Sequence, residues 1–119
     1  MAETRSTKEY LSGVPELLIL RLLADRDMYG YEIVRDIRLR SGNTMQFGEA
    51  VIYPIVHSLE SRKLLKSRRE KFNGRTRIYY RLTKRGEKTL QEKMANWLNI
   101  ASVIKNMLNG KAHDEVATS

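Results

Sequence analysis

The residues best suited to chemistry form a dense set of cations between positions 62 and 88. This stretch contains twelve Lys or Arg and two acids, whereas the other 92 residues sum to a net charge of −2. Many charge runs are only solvated faces, but this one is interleaved with aromatic residues and a turn. Such a pattern is typical of a surface that binds the phosphates of a polyanion. The predicted contacts are Arg68, Arg69, Lys71, Arg75 and Arg77.

Catalytic and metal chemistry find little support in the rest of the chain. There is no cysteine, so disulfides, thiolate metal sites and cysteine nucleophiles are excluded. The two histidines, His57 and His113, are far apart in sequence, and no phosphate-binding glycine loop or nucleophile elbow occurs. We therefore predict no catalytic residues, no metal and no cofactor. No apolar run is long enough to span a membrane, so a cytoplasmic protein without a membrane partner is expected.

Five elements would position the cations. The apolar residues of the first segment predict a core helix that has Pro15 in its first turn and ends at Asp25-Arg-Asp27. A second helix opens at Tyr29 and stops at Ser41-Gly42-Asn43, where Gly42 is expected to be a left-handed cap. A third helix is predicted from Gly48 to Leu65 by the spacing of Ile52, Ile55, Val56 and Leu59, and Pro54 is awkward in it outside the first turn. A hairpin and a last helix complete the list: Lys66–Phe72 and Arg75–Leu82 around Asn73-Gly74, then a helix capped by Thr83 and ending near Asn109.

The last helix carries an apolar seam too broad for a chain of 119 residues to cover alone. Its members are spaced 4, 3, 4, 3 and 4 residues apart, as in the a and d positions of a coiled coil. The seam predicts a partner helix from a second copy, hence a homodimer, and the alternative is that it packs only on its own domain. Its residues are Leu90, Met94, Trp97, Ala101, Ile104 and Leu108.

Three helices, a basic hairpin and a dimerising helix are the order of a winged helix-turn-helix protein, mainly α with a small β-hairpin. In that fold the third helix enters the DNA major groove, which makes Tyr53 and His57 candidate contacts. Tyr29 and Tyr31 begin the second helix, where we expect one ring in the core and one toward the DNA backbone.

The sequence divides into four predicted parts. They are an arm (1–13), the winged domain (14–82), the dimerisation helix (83–109) and a disordered tail (110–119).

Several short motifs together resemble the PadR family of bacterial transcription regulators. They are Tyr29-Gly-Tyr-Glu-Ile33, Glu49-Ala-Val-Ile-Tyr-Pro54, Leu59-Glu60, Leu64-Leu65, Gly74-Arg-Thr-Arg-Ile-Tyr-Tyr-Arg-Leu-Thr83, Gly86 and Trp97. The resemblance adds Glu49 and Ala50 to the DNA-contacting helix. This sequence departs from the pattern common in the family at two places. Ala50-Val51 replaces Gly-Thr, and Arg62-Lys63 occupies a turn that often contains glycine.

The resemblance also implies a function. PadR proteins are cytoplasmic homodimers whose repression is relieved by a small effector, and the short form with one C-terminal helix is similar to the multidrug-binding members. It implies that Trp97, with Met94 and Ala101, binds a planar aromatic or cationic molecule between the two copies. The alternative for Trp97 is ordinary packing in the core or in the dimer interface.

The leading interpretation is a dimeric repressor that binds a pseudo-palindromic operator in double-stranded DNA. Two other interpretations remain. One is a winged-helix adaptor that binds protein, although such a surface has no need of so many cations. The other is a nucleic-acid binder without sequence preference, whose complex with any one duplex would be lost when unrelated duplex is added as competitor.

Overall fold

A computed structural model describes residues 13–110 of the protein. Apart from Gly13 and Gly110, the predicted arm and tail lie outside the described residues. The fold is mainly helical with a small antiparallel sheet, as predicted. In chain order the elements are α1 (Val14–Asp25), β1 (Met28–Tyr29), α2 (Gly30–Arg40), α3 (Glu49–Ser61), β2 (Leu65–Phe72), β3 (Arg75–Leu82) and α4 (Lys84–Leu108).

Local residues explain where α1 and α2 begin and where α2 ends. Helix α1 has Pro15 and Glu16 in its first turn, where a fixed φ and a negative charge are both favourable. At the start of α2, the backbone N–H of Tyr29 donates to Glu32 Oε1 at 3.1 Å. After α2, Gly42 adopts a φ of +60°, the left-handed conformation predicted for it.

Helix α3 is shorter than predicted, because it ends at Ser61 and not at Leu65. The backbone N–H of Leu64 turns back to the carbonyl of Leu59 at 3.0 Å, and Lys63 between them has a φ of +64°. This is a Schellman termination, and it releases Leu65 to begin β2. Pro54 lies inside α3 without ending it.

The predicted hairpin is confirmed. Asn73 and Gly74 have φ values of +49° and +77°, as a type I′ turn requires. The sheet also has a third strand that the sequence does not predict: β1 pairs with β3, with Met28 opposite Tyr80 and Tyr29 opposite Tyr79. Two residues are too few to show the alternation by which strands are recognised.

The core surrounds α1, whose Ile19 and Leu20 are fully buried. Among residues 13–110, helix α4 joins this core through Leu90 and Met94, in its first three turns. Thr83 caps it by accepting the backbone N–H of Gly86 at 3.0 Å. A Cβ on Gly86 would collide with the carbonyl oxygen of Leu64, so glycine permits the close approach of α4 to the end of α3. No helix in residues 13–110 is long and apolar enough to cross a membrane.

Candidate DNA interface

The outward face of α3 presents the side chains that the sequence placed at a groove. Glu49, Ala50 and His57 are exposed, and Tyr53 is half-buried. The Tyr53 hydroxyl donates to Glu49 Oε1 at 2.8 Å. Tyr53 and Glu49 thus form a hydrogen-bonded pair. His57, another predicted DNA contact on this helix, makes no side-chain hydrogen bond or ion pair with the described residues.

Tyr53 also joins α3 to the start of α2. A Cβ on Gly30 would lie 2.8 Å from Tyr53 Cε1, so the ring rests directly on the glycine backbone. Burial, and then the hydrogen bond to Glu49, raise the pKa of Tyr53 to about 12. The phenol is thus a neutral donor at physiological pH, and its ring fixes α3 against α2.

The two tyrosines at the start of α2 have different environments. Tyr29 is half-buried, with its ring edge against Tyr79 at a centroid distance of 5.5 Å. Tyr31 is 51% exposed and stacks beside Tyr29. Tyr29 is therefore the packed ring, and Tyr31 is the ring available to a ligand.

The wing, defined as β2, the turn and β3, divides its predicted cations between two faces. Cross-strand pairs share a face, so the register puts Arg69 and Lys71 on the same side as the buried Tyr80. Arg68, Arg75 and Arg77 lie on the opposite, outer face. The helices pack on the side of Tyr80, and the cations on that side lie beyond the core, near the turn.

Arg77 is held on the outer face by aromatic rings. Its guanidinium carbon lies 4.4 Å from the centroid of Tyr29 and 4.3 Å from that of Phe72. Stacking on rings leaves the N–H groups at the guanidinium edge free to donate. Arg77 is therefore held in one orientation, so its N–H groups can donate to a partner with little further loss of side-chain entropy.

Arg68, its neighbour on the outer face, is paired with two carboxylates. Its Nε donates to Glu70 Oε2 at 2.5 Å, and Nη1 donates to Asp27 Oδ2. These hydrogen bonds, the one to Glu70 first, raise the pKa of Arg68. The predicted phosphate contact by Arg68 would require breaking its hydrogen bonds to Glu70 and Asp27. The pairing of Arg68 with Glu70 could have been predicted from the sequence, because residues two apart in a strand share a face. The pairing with Asp27 could not, because only the fold brings these two residues together.

The seam of α4 is divided by its packing. Leu90 is 2% exposed and belongs to the core of its own chain, so it is removed from the dimer contacts predicted for it. Met94 packs against the edge of the same core. No other segment of residues 13–110 covers the later seam residues: Trp97, Ile104 and Leu108 are exposed, and Ala101 is half-buried.

A small cavity of about 150 Å³ lies beside Trp97, between the start of α1 and α4. Trp97 lines it together with Leu17 and Lys93, whereas Met94 and Ala101 do not. Within residues 13–110, no group of three or more His, Cys, Asp or Glu is arranged to hold a metal ion. His113 lies outside the described residues.

A sequence model of the transcriptional regulator PadR-like family matches residues 19–92, which include every element from most of α1 to the first turns of α4. The chain belongs to the PadR-like family. An uncharacterised protein of Lysinibacillus sphaericus is 31% identical to this PadR-like chain over 103 residues, covering 86% of this chain and 94% of the relative. The transcriptional regulator Rv3488 of Mycobacterium tuberculosis is 27% identical over 106 residues, covering 89% and 94%.

Solved structures agree with this PadR-like assignment. A transcriptional regulator from Clostridium thermocellum superposes with a TM-score of 0.77 at 31% identity, covering 82% of this chain and 96% of the other. A PadR family regulator from Clostridium difficile has a TM-score of 0.70 at 32% identity, covering 81% and 99%. The PadR-like protein is thus a transcriptional regulator with a DNA-binding winged-helix fold, in a family of regulators and not of enzymes.

Proposed function

We propose that the protein is a homodimeric repressor that binds a pseudo-palindromic operator, with α3 in the major groove and the wing on the phosphates. The stacked Arg77 carries this proposal. A preorganised guanidinium with free N–H edges, on a basic wing beside α3, matches the needs of phosphate binding. In this arrangement His57 is the side chain on α3 best placed to reach a base edge.

The dimer is supported by the unpacked half of α4. This helix has 25 residues, about 37 Å, yet within the described part of the chain its contact with the core is limited to its first three turns. Beyond Met94, large apolar side chains lie exposed along it, which is a costly surface for a monomer in water. They are Trp97, Leu98, Ile100, Val103, Ile104, Met107 and Leu108.

The effector site is supported by the position of Trp97 on this uncovered face. The cavity beside it, at about 150 Å³, is smaller than the roughly 300 Å³ of an ordinary ligand pocket. A second copy packed on α4 would enlarge and close it, so we propose that a planar aromatic or cationic effector binds only in the dimer. An effector that prefers one packing of the two helices would change the affinity for DNA by the same coupling energy.

Binding to the protein's own upstream intergenic duplex tests the function, with unrelated duplex as competitor. We expect a discrete complex that survives the competitor. Loss of the complex to any duplex would favour a nucleic-acid binder without sequence preference, and no binding to either duplex would favour the adaptor.

Two matched variants test the wing. Arg77→Gln should weaken binding to every duplex and reduce the slope of log K against log salt by roughly 1 for each phosphate that the protein no longer neutralises. Arg68→Gln removes the same charge from the same face, but from a side chain already paired with Asp27 and Glu70. It should have a clearly smaller effect on both quantities. Equal effects of the two variants would contradict a specific role for the stacked arginine.

A further inference from the structure

An open cavity of about 440 Å³ lies at the base of the wing, between the end of α3 and the first turns of α4. Every ionisable side chain that lines this basal pocket is basic: Arg62, Lys63, Arg85 and Lys93. The hydroxyls of Ser61 and Thr89 add neutral hydrogen-bonding groups to the same wall. This volume falls within the range of about 300 to 1,000 Å³ that small-molecule sites occupy.

The cations of the basal pocket are only partly neutralised. Glu16 of α1 pairs with Arg62 at 2.8 Å and with Lys93 at 3.0 Å, and so holds both side chains in place. Lys63 and Arg85 have no ion-pair partner among residues 13–110. Four positive charges against one carboxylate leave a net positive charge at the pocket, which favours an anion with more than one charge.

Lys63 occupies its position at a cost to the backbone. Its φ of +64° is at the left-handed residue of the Schellman termination, where glycine is the favoured residue. A side chain in this conformation costs roughly 1 kcal/mol relative to glycine. Backbone stability therefore does not explain a lysine at this position.

The basal pocket is remote from the turn of the wing. β2 begins and β3 ends beside the pocket, and the eight residues of each strand span about 25 Å to Asn73-Gly74. The cations on the wing and those in the pocket thus form two separate positive surfaces. The wing is an extended ribbon, whereas the pocket is concave.

We propose that the basal pocket binds a small anion with at least two phosphate or carboxylate groups. Its walls come from the end of the helix that faces DNA and from the start of the helix that carries the exposed seam. A bound anion would therefore connect these two helices through its own charges. Any effect of this connection on DNA binding rests on the proposed function, whereas the anion binding itself does not.

Calorimetric titration with inorganic pyrophosphate, at constant ionic strength and without divalent cations, tests the binding. The pocket variant combines Lys63→Gln with Arg85→Gln. The control variant combines Arg69→Gln with Lys71→Gln and removes the same charge from the wing. We expect saturable binding to the unaltered protein and to the control variant, and an affinity at least about tenfold weaker in the pocket variant. No saturable binding, or an equal loss in both variants, would overturn the proposal.

Anisotropy titrations of the same three proteins with DNA separate the pocket from the DNA interface. The control variant should lose affinity for duplex, whereas the pocket variant should stay within about threefold of the unaltered protein. If the pocket variant loses as much as the control variant, the pocket belongs to the DNA interface and the proposal is overturned. If the unaltered protein binds no DNA but still binds pyrophosphate, the proposed function fails and the anion site stands.

Discussion

At the scale of the residue, neighbouring side chains of one type have different roles because their partners differ. Arg77 is stacked on aromatic rings, and its N–H groups remain available to donate hydrogen bonds. The N–H groups of Arg68 instead donate to Asp27 and Glu70. The two tyrosines of α2 divide in the same way, into packed Tyr29 and exposed Tyr31. A list of basic and aromatic residues therefore overstates the number of groups that are free to bind.

Lys63 provides a stability prediction at this scale. Lys63→Gly should increase the free energy of unfolding by roughly 1 kcal/mol, because glycine adopts the left-handed conformation without a Cβ clash. Urea unfolding followed by circular dichroism measures the change. Gly42→Ala is the converse control, since Gly42 also has a positive φ of +60° and open space around it, and it should destabilise the protein. A destabilised Lys63→Gly variant would contradict the strain assigned to Lys63.

At the scale of the element, Glu16 connects three segments. It lies on α1, its side chain is 19% exposed, and it pairs with Arg62 after α3 and Lys93 on α4. Burial alone would raise the pKa of Glu16, but the hydrogen bonds and charges of Arg62 and Lys93 outweigh it and hold this pKa below its ordinary value. Glu16 is thus one of the groups that set the direction in which α4 leaves the winged domain.

This lowered pKa predicts a pH dependence of stability. A carboxylate with a depressed pKa stabilises the folded state above its unfolded-state pKa, and this stability is lost as the pH falls through the folded-state pKa. Glu16→Gln should therefore be less stable than the unaltered protein at pH 7, by about 1 kcal/mol. The difference should shrink below about pH 4, where the unaltered Glu16 is also becoming neutral. Urea unfolding of both proteins at several pH values measures it, and a gap that does not change with pH would contradict the role of the charge.

The elements themselves are largely predictable because their signals are local. The Asn73-Gly74 turn, the Thr83 cap and the seam spacing of α4 each need only a few neighbouring residues. Prediction fails where distant segments meet. Strand β1 exists because β3 lies beside it, and Leu90 is buried because the core reaches the start of α4. For the same reason the basal pocket, assembled from two helix ends, has no signal in the sequence beyond the unusual Arg62-Lys63 turn.

At the scale of the whole molecule, the uncovered half of α4 is the feature that the protomer alone does not explain. Ile104 is 49% exposed in the middle of this apolar surface, whereas Asn106 is exposed on the opposite, polar side of the helix. In a homodimer that buries this surface, a charge at Ile104 would have to be desolvated in both copies. In a monomer, neither position would respond strongly to a charge.

The two positions therefore allow a matched test of assembly by sedimentation equilibrium. We expect the unaltered protein to sediment with twice the chain mass of 13.9 kDa. Ile104→Glu should sediment as a monomer with unchanged helical content, while Asn106→Glu should remain a dimer. Because each half of a pseudo-palindrome would then be bound independently, the monomeric variant should also lose affinity for the operator by more than about a hundredfold. A monomeric unaltered protein, or a dimer that tolerates Ile104→Glu, would show that α4 does not form the interface.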